Sequence, residues 1–139
     1  MTDQRGSALI ETLILGLLLM VPLMWGLGVL ADLHRSALAA TAAAREAGQD
    51  AARASSLEAA DGAIDLAVAL ALRDQGLDVD YARVRWSSSS ELERGGIVEV
   101  EVAYPVTVAQ ALFLGRVAGP SIWVTARHVA RIEPYGSRE

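Results

Sequence analysis

An uncharged run of twenty residues near the N-terminus constrains the fold of this chain more than any other feature. It covers residues 12–31 and reads T-L-I-L-G-L-L-L-M-V-P-L-M-W-G-L-G-V-L-A. As a helix rising 1.5 Å per residue it spans about 30 Å, the thickness of a bilayer's hydrocarbon core. The sequence therefore predicts one membrane-spanning helix. Pro22 lies in its middle, where the loss of one backbone hydrogen bond should kink or loosen the helix.

The bulk composition excludes several classes of function. A chain of 139 residues has room for one domain beside a membrane helix. Its net charge is −5 and its basic residues, all arginine, form no cluster, which argues against binding of nucleic acid. Cysteine is absent, so disulfides, thiolate metal sites and a cysteine nucleophile are all excluded.

Two ordinary interpretations of the apolar run remain open. The first is an uncleaved membrane anchor. The second is a cleaved secretory signal, with Arg5 before the apolar core and Val29-Leu30-Ala31 as a small-residue cleavage site. The second has a difficulty, because the apolar core of a signal peptide is about 7–15 residues long and this run is longer.

Glu11 distinguishes this segment from an ordinary anchor. The apolar stretch begins at Ala8, so a carboxylate interrupts it after three residues. An acidic side chain inside a membrane helix is costly, and such a residue points to a function. The alternative is that Glu11 lies near the membrane interface and reaches water cheaply.

The residues around Glu11 resemble a known processing site. The stretch R-G-S-A-L-I-E, residues 5–11, is similar to the cleavage site of type IV prepilins, and in this form to TadE-like minor pilins, or pseudopilins, of the Tad (Flp) pilus system. The resemblance implies a leader of residues 1–6, removed by a prepilin peptidase between Gly6 and Ser7. It also makes Glu11 the fifth mature residue and residues 7–31 the transmembrane helix.

The resemblance also implies a function and a location. The chain would be an assembly component of a Tad pilus or a related secretion machine, without catalysis. Its partners would be the prepilin peptidase, other pilin or pseudopilin subunits, the pilus assembly platform and membrane lipid. It would cross the inner membrane once, with a cytoplasmic N-terminus, and could join an extracellular pilus. The alternative function is an uncleaved single-pass anchor that presents an extracytoplasmic binding domain.

The charges of this motif have a physical rationale. Cleavage after Gly6 would free the α-amine of Ser7, a positive charge in apolar surroundings. A Glu11 carboxylate on a neighbouring subunit could neutralise it, and such a pair is worth about 4 kcal/mol at 4 Å and an effective dielectric near 20, before desolvation. Pairing of this kind would set the axial register between subunits.

Residues 32–54 form an Ala-rich segment with high helix propensity, predicted to be a stalk helix. Small residues recur four apart within it, at Ala40, Ala44, Gly48 and Ala52. Such a stripe allows close approach of another helix, but a plain Ala-padded connection fits the pattern equally well.

An amphipathic helix is predicted at residues 57–72, since apolar residues recur there at helical spacing. Ser55 and Glu58 have the spacing of a capping box, which would start this helix. Gly76 is its expected C-terminal cap.

Three strands are predicted after this helix, at residues 81–86, 97–108 and 122–132, from alternation of apolar and polar side chains. The sequence thus predicts an α+β extracytoplasmic domain at residues 55–139, with a small antiparallel sheet on the amphipathic helix. The strand starting at Ile97 should be central. Its Glu99 and Glu101 should face arginines on both neighbours, namely Arg83, Arg85, Arg127 and Arg131. The inward-facing residues should be Val84, Val98, Val100, Val102, Val124 and Ile132.

Catalytic and ligand-binding motifs do not occur in the sequence. His34 and His128 have no evident partner, and no phosphate-binding, dinucleotide or HExxH pattern is present. Glu99 and Glu101 resemble a carboxylate pair, but on a strand facing arginines a solvated charge ladder is the simpler interpretation. We therefore expect no enzymatic activity, no cofactor, no metal and no small-molecule substrate.

Overall fold

The computed structural model describes residues 3–89, 92–108 and 119–133, with side chains from Ser7 onward. In chain order the elements are helix α1 (Asp3–Arg53), helix α2 (Leu57–Asp74), a 3₁₀ turn (Val79–Tyr81), and strands β1 (Arg83–Ser88), β2 (Ile97–Thr107) and β3 (Ser121–Arg131). The strands form one antiparallel sheet. The predicted α+β class, with a long N-terminal helix and a three-stranded sheet, is confirmed.

Helix α1 is continuous over 51 residues and passes through Pro22 without a break. Its two halves have opposite environments. The large apolar side chains between Leu9 and Met24 are 50–74% exposed, whereas Ser36 and the alanines that follow it on the same face are at most 2% exposed. One helix therefore serves as an exposed apolar rod, residues 9–24, at one end and as a core element at the other.

The Ala-rich half of α1 lies at the centre of the domain. Ala40, Ala44 and Gly48 are buried and Ala52 is half-buried, and α2, β2 and β3 all pack against α1. Small side chains permit this close packing because they keep neighbouring backbones near the helix axis. The segment assigned to a stalk thus belongs to the same packed unit as α2 and the sheet.

Helix α2 begins at Leu57 as predicted, but its N-cap lies one residue later than expected. Ser56, not Ser55, is the N-cap, and its side chain accepts a hydrogen bond from the N–H of Ala59 at 3.1 Å. At the other end Gly76 adopts a positive φ of 68°, as expected of a C-terminal cap. The N–H of Gly76 donates to Arg73 and that of Leu77 to Leu72, which satisfies the last carbonyls of the helix.

Strand β2 is central, as predicted, and pairs antiparallel with β1 and β3. Glu101 stands opposite Arg85 on one side and Arg127 on the other. Pro105 lies beyond the end of β1, where β2 pairs only with β3 in the described part of the chain. A proline is tolerated there because that edge of β2 needs no donor.

The core lies between the sheet and both helices. Of the six predicted inward residues, Val98, Val100, Val102 and Ile132 are buried, while Val84 and Val124 are half-buried because they lie on the outer strands. The predicted cover by α2 is only part of the packing, since α1 lies along β2 and β3. Helix α2 contributes Ile64, Val68 and Leu72 to the same cluster.

Candidate functional site

The predicted cleavage site lies at the start of α1. The backbone of residues 3–6 is helical and continues without interruption into Ser7, which is exposed. The exposure of Ser7 is compatible with recognition of this position by a peptidase.

Glu11 is exposed on α1, one turn after Ser7 and about 6 Å further along the axis. Among the side chains that the structure describes, none forms an ion pair with it. The neighbouring Thr12 hydroxyl donates to the carbonyl of Ala8 at 2.8 Å, so its hydrogen bond is satisfied within the helix. Glu11 is the only ionisable side chain between Ser7 and Asp32. It therefore presents an isolated carboxylate on an apolar rod.

No described part of the domain packs against the apolar rod. Helix α1 is long enough and apolar enough to cross a membrane. Its apolar stretch is not buried against the rest of the described structure. Each side chain from Leu13 to Met20, Gly16 aside, is at least 57% exposed. A soluble protein rarely exposes so large a continuous apolar surface to water. This half of α1 is therefore a candidate single membrane span.

The outer face of the sheet carries only part of the predicted charge ladder. Arg85 and Arg127 lie opposite Glu101, whereas Arg83 lies opposite Ala103 and Arg131 opposite Ile97. Arg127 donates a hydrogen bond to Glu99, and Arg85 pairs with Glu101 at 3.4 Å. The hydrogen bond and charge of Glu99 raise the pKa of Arg127 above its usual value, so this guanidinium stays charged at any physiological pH. Arg83 instead stacks over the ring of Trp123 at 4.1 Å. Exposed pairs of this kind contribute little to stability and give the face a solvated surface.

The two histidines have different environments. His34 is exposed on α1, while His128 is half-buried on the inward face of β3. His128 has a packing partner that the sequence did not indicate: a Cβ added to Gly48 would lie 2.9 Å from its Cδ2. The imidazole thus occupies the space left by Gly48. In the described ranges no group of three or more His, Cys, Asp or Glu side chains could hold a metal ion.

Two open cavities flank the domain. One, of about 1030 Å³, lies beside the end of α1 and is lined by residues of α1, α2 and β3, among them Arg53, Leu66 and Ala130. The other, of about 710 Å³, lies at the opposite end, where α1 leaves the apolar rod, and includes Asp32 and Arg35. Sequence reasoning missed both, since they arise where separate elements meet.

Comparisons of this chain with protein-family models, curated proteins and solved structures gave no match.

Proposed function

We propose that this protein is a pilin-like assembly subunit, resembling the TadE-like minor pilins, that is cut after Gly6, anchored by the first half of α1, and joined to neighbouring subunits through Glu11. The α+β domain would be displayed outside the membrane. The protein would act as a structural component with no chemistry of its own.

The observation that carries the proposal is the combination of Glu11 with an otherwise uncharged helical rod whose large apolar side chains are 50–74% exposed. A charged residue near the centre of a membrane helix costs about 2.5–3.5 kcal/mol on insertion scales. Glu11 lies only one turn from Ser7, so its own cost is smaller, but an anchor would gain by replacing it with an apolar residue. The carboxylate is therefore explained better by a partner than by insertion.

A free α-amine at Ser7 supplies that partner. Within one chain, the amine and Glu11 would be offset by one helical turn, and Glu11 projects from the side of the helix. Between two parallel subunits displaced along the axis, a Glu11 side chain can reach the amine of its neighbour. The pair would be worth about 4 kcal/mol before desolvation in partly shielded surroundings.

The alternative is an uncleaved single-pass anchor that presents a binding domain. The open cavity beside the end of α1, which lies at the end of the domain far from the rod, favours it. Its lining is mixed, with Asp50, Arg53, Leu66 and Arg131 among the residues. Under this alternative Met1 would remain on the chain and Glu11 would have no specific partner.

Substitutions at Glu11 test the proposal. Glu11→Gln preserves the shape of the side chain and removes its charge, and Glu11→Val also removes the polar atoms. We expect both variants to insert into the membrane as well as the original or better, because a costly charge is gone. We expect incorporation into the filament or machine to fall at least tenfold, equivalent to about 1.4 kcal/mol.

The control is Glu46→Gln, which removes an exposed carboxylate from the domain half of the same helix. It should leave both insertion and incorporation unchanged. If the Glu11 variants assemble as well as this control, Glu11 has no role in subunit pairing.

A further inference from the structure

One face of α1 is partly covered over the two turns that precede Asp32, the first charged residue after the apolar run. Trp25, Gly28 and Val29 are half-buried, in line with Asp32 at helical spacing. On the other faces Met24 and Leu30 are both 62% exposed. The boundary between the fully exposed rod and the covered helix is thus at Trp25, about 10 Å before Asp32 along the axis.

This boundary fixes where the membrane surface would lie. Residues 7–24 span about 27 Å as a helix, which suffices for the hydrocarbon core. Trp25, at the next position, is half-buried with its indole Nε1 enclosed by the protein, so it marks the end of the exposed stretch. The turns from Trp25 to Arg35 then lie among the headgroups, and the lower end of the domain rests on the membrane rather than being held above it.

The cavity of about 710 Å³ lies at this lower end, and we name it the membrane-end cavity. Its lining comes from α1, from the turn after α2, and from the ends of β2 and β3. These contributions include Asp32, Arg35, Asp78, Tyr81 and Thr107. Its volume is within the range of small-molecule sites, roughly 300–1,000 Å³.

The membrane-end cavity carries charges of both signs, which complement a ligand with one positive and one negative group. Among the lining residues that the structure describes, Arg35 is the only cation, and it lies beside the carboxylates of Asp32 and Asp78. Arg35 and Asp32 form an ion pair at 3.5 Å with both side chains about half exposed, 50% and 46%. Such a pair is loosely held, so the guanidinium can turn to an incoming phosphate. Two carboxylates against one guanidinium disfavour a ligand that is only anionic.

We propose that the membrane-end cavity binds the headgroup of an aminophospholipid, with the phosphate on Arg35 and the primary ammonium on Asp32 and Asp78. Guanidinium and phosphate match in a two-point hydrogen-bonded geometry. The ammonium has three donors, and a methylated headgroup has none, so the two carboxylates discriminate between them. The inference rests on the membrane insertion contained in the proposed function, and it adds a lipid that orients the domain on the bilayer.

Native mass spectrometry of the full chain in detergent tests this site. The chain is titrated separately with phosphatidylethanolamine, phosphatidylcholine and phosphatidylglycerol of the same acyl chains. We expect phosphatidylethanolamine to bind at least fivefold more tightly than either of the others. Arg35→Gln should abolish that preference. Arg45→Gln, on an exposed position of the same helix outside the cavity, should retain it.

Asp78→Asn separates binding from folding. The Asp78 side chain accepts the N–H of Asp80 at 3.1 Å, and asparagine can keep this hydrogen bond. The variant should fold as the original does, yet discriminate less between phosphatidylethanolamine and phosphatidylcholine.

Flotation with vesicles of phosphatidylcholine alone reports insertion independently of the headgroup site. If the chain floats but binds the three lipids equally, or if Arg35→Gln and Arg45→Gln behave alike, the headgroup site is wrong while membrane insertion stands. If phosphatidylglycerol binds as well as phosphatidylethanolamine, the ammonium contacts are wrong and the proposal is overturned. A chain that does not float overturns the membrane location and this inference together.

Discussion

At the scale of single residues, the structure depends on positions whose identity the sequence pattern leaves open. Gly48 belongs to a stripe of small residues in which alanine is the commonest member, yet His128 fills the space where its side chain would be. Leu92, in the connection between β1 and β2, is 2% exposed and adopts a φ of 67°. Neither feature has a periodic signal, because each arises from contact between distant parts of the chain.

The close approach at Gly48 leads to a first prediction. Gly48→Ala should destabilise the protein by about 1–3 kcal/mol, because the new Cβ would overlap the imidazole of His128 and force it out of its rotamer. Gly62→Ala, on an open face of α2, is the matched control. It should stabilise the protein by about 0.5–1 kcal/mol, since alanine is the better helix former.

Thermal unfolding of the full chain in detergent, followed by circular dichroism, measures both changes. His128→Ala should reduce the cost of Gly48→Ala when the two are combined, because the obstructing ring is gone. Equal effects of Gly48→Ala and Gly62→Ala would show that β3 does not approach α1 as described.

At the scale of elements, local sequence patterns predict where the strands and α2 lie, but not which elements pack against them. Alternation in β2 correctly separates Val98, Val100 and Val102 from Glu99 and Glu101, because one face of the sheet is buried and a one-residue slip would bury the charges. The start of α2 at Leu57 was predicted correctly but its N-cap was misplaced by one residue, since Ser55 and Ser56 are both good caps and only the fold selects between them. That α1 covers the sheet had no local signal at all.

The register of β2 gives a second prediction, in which neighbouring positions receive the same substitution. Val100→Thr keeps the shape but buries a hydroxyl in the core, and it should cost about 1–3 kcal/mol. Glu101→Thr removes an exposed pair with Arg85 and should cost at most about 1 kcal/mol.

Threonine suits strands at both positions, so propensity cancels in this comparison. The free energy of unfolding, measured in denaturant, should fall more for Val100→Thr. The reverse order would mean that the faces of β2 are exchanged.

At the scale of the whole molecule, α1 joins two parts that the sequence treats separately. The apolar run and its motif are visible in the sequence, because a membrane helix is recognised by local composition alone. The packing of the Ala-rich segment against the sheet cannot be predicted from the sequence, since alanine is equally compatible with a stalk and with a tightly packed core helix. The membrane-end cavity and the second cavity are likewise properties of assembled elements.

Truncation tests whether the Ala-rich half of α1 is part of the folded domain, and it gives a third prediction. A fragment of residues 32–139 retains every buried residue of α1 and should fold, with a cooperative thermal transition. A fragment of residues 55–139 lacks the helix that covers β2 and β3 and should not fold.

The expected difference is large. Each of Val98, Val100 and Val102 contributes roughly 1.5–3 kcal/mol through burial, and a small domain has only about 5–15 kcal/mol of stability in total. Circular dichroism and size-exclusion chromatography would reveal an unfolded or aggregated shorter fragment. If the shorter fragment unfolds as cooperatively as the longer one, the Ala-rich helix is a stalk after all.

The most direct test of the proposed function is the mass and N-terminal sequence of the mature protein, made in a host with a matching prepilin peptidase. We predict that the chain begins at Ser7, and that Gly6→Leu, which puts a bulky side chain before the cut, leaves the full-length chain in the membrane. A mature chain that retains Met1 would contradict the proposal in favour of an uncleaved anchor, and one that begins at Asp32 would identify an ordinary secretory signal.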